Sequence, residues 1–130
     1  MTQAISAIAL LVADYDEAIA YYGGALGFEL VEDADMGGGK RWVRMRPLGP
    51  GPALLLARAA NEGQASRVGD QTGGRVFLFL DTDDFARDHA AYTANGVVFE
   101  GEPRDEPYGR VAVFRDLYGN RWDLVERTGA

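Results

Sequence analysis

Two short stretches of the 130-residue sequence alternate flat or cationic side chains with apolar ones. In an extended chain the alternate positions share one face of a strand, because successive side chains point to opposite faces. The residues concerned are Trp42, Arg44 and Arg46 in the first stretch and Arg75, Phe77 and Phe79 in the second. Stacked rings and planar guanidinium groups hold flat or anionic ligands without covalent chemistry. These side chains are therefore the first candidates for a ligand-binding surface.

Few residues could act as a general base. Asp123 alternates with apolar neighbours near the end of the chain, which predicts a carboxylate on one face of a strand. His89 is the only histidine, and its neighbours Arg87 and Asp88 favour a solvated position in the middle of a helix. Either group would need a strongly perturbed environment to act as a base. The glycine-rich residues 37–41 lack the spacing of a phosphate-binding loop and are interpreted as a flexible lid.

An internal repeat predicts the elements that carry these residues. Residues 7–18 and 75–86 each run from an apolar strand through an acidic turn into a helix, with Asp16 and Asp84 in matching places. Each helix is expected to end at a glycine, Gly27 or Gly96, and further strands follow. One such unit cannot bury its own apolar face, so two copies are expected to pack together. The repeat predicts an α+β protein built from two βαβββ modules.

The predicted boundaries describe a single domain over residues 1–130. Module one covers residues 1–60, a linker without periodicity covers 61–74, and module two covers 75–130. The predicted strands are 5–12, 28–32, 41–47 and 53–59, then 75–80, 97–100, 110–115 and 121–126. Capping-box spacing starts the first helix at Asp14, and the second is predicted over about 83–95. The acidic segments 32–39 and 100–108 are predicted to be loops.

Strand parity predicts which side chains each helix covers, since one helix covers one face of a sheet. The helix side is expected to hold Val43 and Met45 in module one, and Val76, Leu78, Leu80, Trp122 and Leu124 in module two. The opposite faces then carry the rings, the arginines and Asp123. Such a mixed surface suits a concave binding site better than a dry core.

Composition excludes several classes of function. The formal charge of −7 disfavours nucleic acid as a partner, because it repels phosphate backbones. The absence of cysteine removes disulfides, thiol nucleophiles and thiolate metal sites. No segment approaches the roughly 20 apolar residues of a membrane span, and residues 5–12 lack a basic leader. A cytoplasmic location without membrane association is expected.

The chain resembles the vicinal oxygen chelate superfamily, which includes glyoxalase I, extradiol dioxygenases, fosfomycin-modifying transferases and bleomycin-resistance proteins. The matching stretches are residues 12–22, residues 26–30 and the run Asp-Leu-Tyr-Gly-Asn-Arg-Trp-Asp-Leu at 116–124. The resemblance implies that the paired modules form a curved mixed sheet around a cavity. It also implies a homodimer.

The resemblance further implies four inward-facing positions that hold metal ligands in the metal-dependent members. Those positions correspond here to Ala7, Leu56, Arg75 and Asp123, with Leu54 sharing the parity of Leu56. Only the last of the four residues can ligate a metal, so no metal and no other cofactor are expected. We expect the guanidinium of Arg75 to occupy part of the vacant metal place and to pair with the Asp123 carboxylate.

Three hypotheses for function follow. The first is a metal-free, dimeric binding protein that is not an enzyme and sequesters an aromatic antibiotic or a similar compound, conferring drug resistance by binding. Its predicted ligand contacts are Trp42, Arg44, Arg46, Leu56, Arg75, Phe77, Phe79 and Asp123. The second is a metal-dependent lyase, isomerase or dioxygenase of the glyoxalase type. The third is a metal-free enzyme with Asp123 or His89 as general base.

Overall fold

The computed structural model describes residues 1–128, which form two units with the same order of elements. The first unit, Met1–Val68, contains β1 (Ala7–Val12), α1 (Tyr15–Ala20) with a π-helical continuation (Tyr21–Ala25), β2 (Glu29–Asp35), β3 (Arg41–Arg46), β4 (Ala53–Arg58) and α2 (Glu62–Ala65). The second, from Gly69 onward, contains β5 (Val76–Asp81), α3 (Phe85–Ala94), β6 (Val98–Glu106), β7 (Gly109–Arg115) and β8 (Arg121–Arg127). Across the described residues, no helix has the length and apolar character needed to cross a membrane.

Each unit folds into one four-stranded mixed sheet. The strand orders are β1-β4-β3-β2 and β5-β8-β7-β6. The β1–β4 and β5–β8 pairs are parallel, and the remaining neighbours are antiparallel. The predicted α+β fold of two βαβββ modules is confirmed. The segment predicted as a linker holds α2 and the boundary between the units.

The helix starts show how the two units correspond. The side chain of Asp14 accepts a hydrogen bond from the Glu17 backbone N–H at 2.8 Å, and the Asp84 side chain accepts one from the Arg87 N–H at 3.0 Å. These are the N-caps of α1 and α3, and each satisfies an otherwise unpaired donor. The equivalent residues are therefore Asp14 and Asp84, and the predicted match of Asp16 with Asp84 is wrong by two positions.

The core of the first unit lies between its sheet and α1. Leu10, Val43 and Met45 are at most 1% exposed, as expected for the helix side. The register pairs Leu56 with both Leu10 and Val43, so Leu56 belongs to this buried face. Leu54 pairs with Ile8 and Met45 in the same way, so the predicted placement of these two leucines on the face opposite the helix is wrong. The residue of β4 on the open face is Leu55, which pairs with Ala9 of β1 and Arg44 of β3.

The core of the second unit is aromatic. Trp122 is 2% exposed and stacks on Phe114 with ring centroids 5.6 Å apart, and Tyr92 of α3 packs edge-on against Phe114. Leu78 pairs with Trp122, as parity predicts for the helix side. Val76 departs from that parity because the register of β5 shifts between Val76 and Leu78. The shift leaves Phe77 at the irregularity.

The outermost strands β2 and β6 extend further than predicted. Residues 32–35 and 100–106 belong to these strands rather than to loops. Acidic residues have low strand propensity, but here they face arginines on the neighbouring strand, and opposite charges across a strand pair stabilise it. Asp33 bonds Arg41 at 2.7 Å, and Glu100 lies 2.8 Å from Arg115. Cross-strand charge pairing therefore extends both edges.

Candidate ligand-binding site

A cavity of about 450 Å³ lies in the first unit, at the end where the parallel strands β1 and β4 finish. Backbone turns at both strand ends bring α1, α2 and the start of β3 to this place. The lining residues are Tyr15, Gly38, Lys40, Arg41, Trp42, Leu55, Leu56, Ala57, Arg58, Ala59, Ala60 and Gln64. The cavity therefore combines two aromatic rings, three cations and an aliphatic strand.

Tyr15 forms a buried wall of this cavity. It is the first residue of α1 and is only 6% exposed. The guanidinium carbons of Arg41 and Arg58 lie 5.1 Å and 5.3 Å from the centroid of its ring, within cation–π range. Its hydroxyl accepts a hydrogen bond from the Arg41 backbone N–H at 3.2 Å. The ring thus fixes the position of two guanidinium groups.

The guanidinium of Arg41 forms ion pairs with two carboxylates. Its guanidinium donates to Asp33 at 2.7 Å and to Asp16 at 2.9 Å. The hydrogen bond from Arg41 lowers the pKa of Asp33, and the two carboxylates raise the pKa of Arg41 above its already high usual range. Arg41 therefore ties the start of α1 to β2 and β3, and serves as part of the frame of the cavity.

Trp42 presents the exposed ring of the cavity. The residue is 38% exposed, and its indole Nε1 donates to Glu32 Oε1 at 3.0 Å. The same carboxylate oxygen lies 3.3 Å from Arg44 Nε, and Arg46 Nε lies 3.9 Å from Glu29 Oε2. The indole is therefore held at its polar edge. Arg44 and Arg46 of β3 therefore lie near glutamates of β2, although the buried Nε of Arg44 has no hydrogen-bond partner among residues 1–128.

Of the predicted residues in the first unit, the structure brings Trp42 and Leu56 together at the cavity. Leu56 borders it although it is 1% exposed, because its side chain belongs to the core. Arg44 is not a lining residue, but it shares the Glu32 carboxylate with Trp42. Arg46 lies two residues further along β3. The apolar surface of β4 available at the cavity comes from Leu55 and Ala57 instead.

The predicted residues in the second unit have different environments. Phe79 is 62% exposed and pairs in register with Asp123 of β8. Phe77 lies at the register shift of β5 and is half-buried. Arg75 precedes β5 and is exposed. The structure therefore brings together Phe79 and Asp123 on one sheet face.

Asp123 is a buried carboxylate with an unsatisfied oxygen. The residue is 6% exposed, and its buried Oδ1 has no hydrogen-bond partner among residues 1–128. Burial raises its pKa, while the charges of Arg104 and Arg121 oppose that rise. No ion pair joins Arg75 to Asp123 in the described residues, so the predicted pairing of these two is wrong.

His89 is not the solvated residue that its neighbours in sequence suggest. Its ring packs 4.2 Å from that of Phe99 and 5.5 Å from that of Phe85. Phe99 pairs with Phe114, so this cluster lies on the helix side of the second sheet. The prediction of a solvated position is wrong because spacing alone could not show that β6 passes beneath α3.

The donor chemistry does not fit a metal site. Across residues 1–128, no group of three or more His, Asp or Glu side chains is placed so that it could hold an ion. Of the four positions that the family resemblance assigns to metal ligands, Ala7 and Leu56 have no donor atom and Arg75 carries a positive charge. A single carboxylate, Asp123, remains.

Sequence reasoning missed several residues that line the cavity. Tyr15, Arg41 and Arg58 each stand at the end of an element, where parity within a strand gives no information. The run of three leucines in β4 also has no alternation, so only its register with β1 shows that Leu55 faces outward. Only the parallel pairing of β1 and β4 could have located Arg58 near Tyr15. This pairing places Arg58 beside Val12, and Val12 lies three residues before Tyr15 in the chain.

Comparison with known proteins gives consistent similarities. A family model described as the Glyoxalase/Bleomycin resistance protein/Dioxygenase superfamily matches residues 4–124. An uncharacterized protein from Shewanella frigidimarina (strain NCIMB 400) is 52% identical over 128 residues, covering 97% of this chain and 95% of the relative.

Two solved structures are similar over almost their whole length. The crystal structure of UcmS2 has a TM-score of 0.82 and 27% identity, covering 97% of this chain and 99% of that one. TnmS3, an antibiotic binding protein from Streptomyces sp. CB03234, has a TM-score of 0.79 and 28% identity, with 98% of each chain covered.

Proposed function

Because the chain belongs to the glyoxalase/bleomycin resistance protein/dioxygenase superfamily, we propose that it is a metal-free binding protein for a planar aromatic compound. The compound is an antibiotic or a similar natural product, which the protein sequesters and releases unchanged. Sequestration would confer resistance by lowering the free concentration of the compound.

One observation carries this proposal: the cavity is walled by two aromatic rings, and no carboxylate or imidazole is among its lining residues. Its volume of about 450 Å³ falls in the range of small-molecule sites. Trp42 supplies an exposed ring whose edge is fixed by Glu32, and Leu55 and Ala57 supply an apolar floor. Neither Asp123 nor the single histidine, His89, is among its lining residues. Such a lining favours stacking of a flat ligand over its chemical conversion.

Two further observations support the same function. The donor set does not fit a metal, so the residues present supply no Lewis acid for glyoxalase-type chemistry. TnmS3, which shares 28% identity over 98% of this chain, is an antibiotic binding protein. The described residues therefore supply every group that a binding function requires.

The proposal is tested by titrating the protein with polycyclic aromatic compounds and following tryptophan fluorescence. We expect quenching with micromolar or tighter affinity, because a flat ligand stacks on the exposed indole of Trp42. Trp42→Ala should weaken binding, measured by calorimetry, by about tenfold, the effect of about 1.4 kcal/mol of lost stacking.

The second tryptophan provides the control for this experiment. Trp122 is 2% exposed and stacked on Phe114, so its emission should not respond to a ligand in the cavity. Trp42→Phe keeps an aromatic ring but removes the reporter, and it should bind by calorimetry without quenching. Affinity that is the same in Trp42→Ala and the wild type would show that the ligand binds elsewhere.

A further inference from the structure

Two of the three cations that line the cavity have no carboxylate partner among residues 1–128, a state that Arg75 outside the cavity shares. Of its three basic side chains, Arg41 is held by two carboxylates, but Lys40 and Arg58 form no ion pair with any residue in the described part of the chain. The chain has 20 acidic residues against 13 basic ones, so carboxylates are available to most cations. Two unpaired cations that line one cavity of an acidic protein indicate an anion-binding function.

Arg58 has no ion-pair partner among the described residues, but two contacts restrain its guanidinium group. Its guanidinium lies over the Tyr15 ring at 5.3 Å. Its Nη2 also lies against the turn before β3, since a methyl group added at Gly39 would come within 3.2 Å of it. The ring and the turn hold the guanidinium in place while leaving the residue exposed. Because its position is fixed before a ligand arrives, little side-chain entropy is lost on binding.

Other arginines show the contrast. Arg44 lies 3.3 Å from Glu32, Arg104 lies 3.0 Å from Glu106, and Arg127 lies 3.3 Å from Asp81. Arg110 is the nearest counterpart of Arg58, because its guanidinium lies 5.3 Å from the ring of Phe85, the first residue of α3. Arg110 nevertheless has Asp105 at 3.9 Å. Arg58 has the same ring contact without a carboxylate partner.

We infer that Arg58, with Lys40, binds an acidic group of the ligand, so that the compound taken up is a planar aromatic anion such as a carboxylate or phenolate. This inference rests on the proposed function and specifies its ligand class. The aromatic part of the ligand stacks on Trp42 and covers Leu55, while its acidic group meets the guanidinium at the Tyr15 end. A guanidinium presents a planar fork of donors that matches a carboxylate.

The test uses matched pairs of probes that differ only in charge. Anthraquinone-2-carboxylate and anthraquinone-2-carboxamide are titrated by calorimetry, and naphthalene-2-carboxylate is compared with its amide in the same way. We expect each acid to bind about tenfold more tightly than its amide, since a hydrogen bond to a charged group contributes about that much. Arg58→Gln should remove most of this preference, measured as the ratio of acid to amide affinity within the variant. Adding Lys40→Gln should remove the remainder.

Arg110→Gln is the control variant, because it removes an equivalent charge above an aromatic ring outside the cavity. It should keep the full preference for the acids. Equal affinity for acid and amide in the wild-type protein would overturn the inference but leave the proposed function intact. A preference that survives Arg58→Gln and is lost in Arg75→Gln would assign the acidic group to Arg75 and overturn it equally. Failure of every acid and amide to bind would overturn the proposed function itself, and the inference with it.

Discussion

The burial of Asp123 makes the stability of the protein depend on pH. Its pKa is raised above the ordinary aspartate value in the folded protein, chiefly because burial disfavours the charged form. The folded protein therefore binds more protons than the unfolded chain in the pH window just above 3.8. Stability must fall as the pH rises through that window, because the charged carboxylate is then buried without a partner for Oδ1.

Asp123→Asn should consequently stabilise the protein at neutral pH. We expect the free energy of unfolding at pH 7 to rise by about 1 kcal/mol, in keeping with the cost of an unsatisfied buried polar group. The gain should shrink as the pH is lowered toward the aspartate pKa, where wild-type Asp123 is itself neutral. Urea unfolding of the variant and the wild type across this pH range measures the difference in their free energies of unfolding. A variant that is less stable than the wild type at pH 7 would show that the carboxylate has a partner or a structural role.

Single residues in strand interiors could be placed from the sequence, and residues at strand ends could not. Alternation placed Val43 and Met45 in the core and Trp42 on the open face. It failed at Leu56, because a run of leucines has no alternation from which to choose a face. It also missed Arg58, whose role depends on the Tyr15 ring. Sequence spacing cannot show which side chains meet when two strand ends and a helix start converge.

At the scale of elements, the run from Asp116 to Trp122 is a structural turn. The buried Asp116 carboxylate accepts hydrogen bonds from the backbone N–H groups of Tyr118 and Asn120, at 3.1 Å and 2.9 Å. Its Oδ2 also accepts from the indole of Trp122 at 3.0 Å. This carboxylate therefore fixes the turn before β8 and holds the central ring of the second core. The motif that supports the family resemblance identifies the fold and not an activity.

Asp116→Asn should test this role, because the amide has the same shape but places a donor where these donors point. We expect the free energy of unfolding to fall by about 3 kcal/mol, since buried groups would lose their acceptor. Urea unfolding followed by circular dichroism measures the change. Asp105→Asn, whose side chain is 89% exposed, removes the same charge and should alter stability by less than about 0.5 kcal/mol. An equally small effect of both substitutions would refute the structural role of the turn.

The order of elements was predictable from the repeat, but the edges and the offset between copies were not. Asp14 and Gly27 were identified correctly as the ends of the first helical segment, and Gly27 has a positive φ of 73°. The π-helical turn over Tyr21–Ala25 lies inside this segment and changes its length relative to α3. The acidic edge strands were misjudged because their stability comes from cross-strand arginines, which composition alone does not reveal.

At the scale of the whole molecule, exposed apolar side chains remain on the open face of each sheet. Trp42 is 38% exposed in the first unit, and Phe79 and Val98 are each 62% exposed in the second. We expect another chain to cover exposed apolar side chains of this kind. A homodimer stays a prediction, with symmetric contacts between identical faces. Sedimentation velocity should give the mass of a dimer over the micromolar range, and a monomer at high micromolar concentration would contradict it.

The central proposal is that this member of the superfamily binds its compound and does not transform it. The charged groups of the cavity support this proposal. Arg41 is paired with carboxylates, and we assign Arg58 and Lys40 to binding of an anion. No carboxylate or histidine that could accept a proton from a ligand lines the cavity. The proposed binding function predicts that a flat acidic compound leaves the site as it entered.

The most direct test is equilibrium dialysis of the protein against a planar aromatic acid, followed by mass spectrometry of the compound released on denaturation. We predict one compound bound per chain with micromolar or tighter affinity, and recovery of that compound at its original mass. Recovery of a chemically altered compound would make this protein an enzyme and contradict the account.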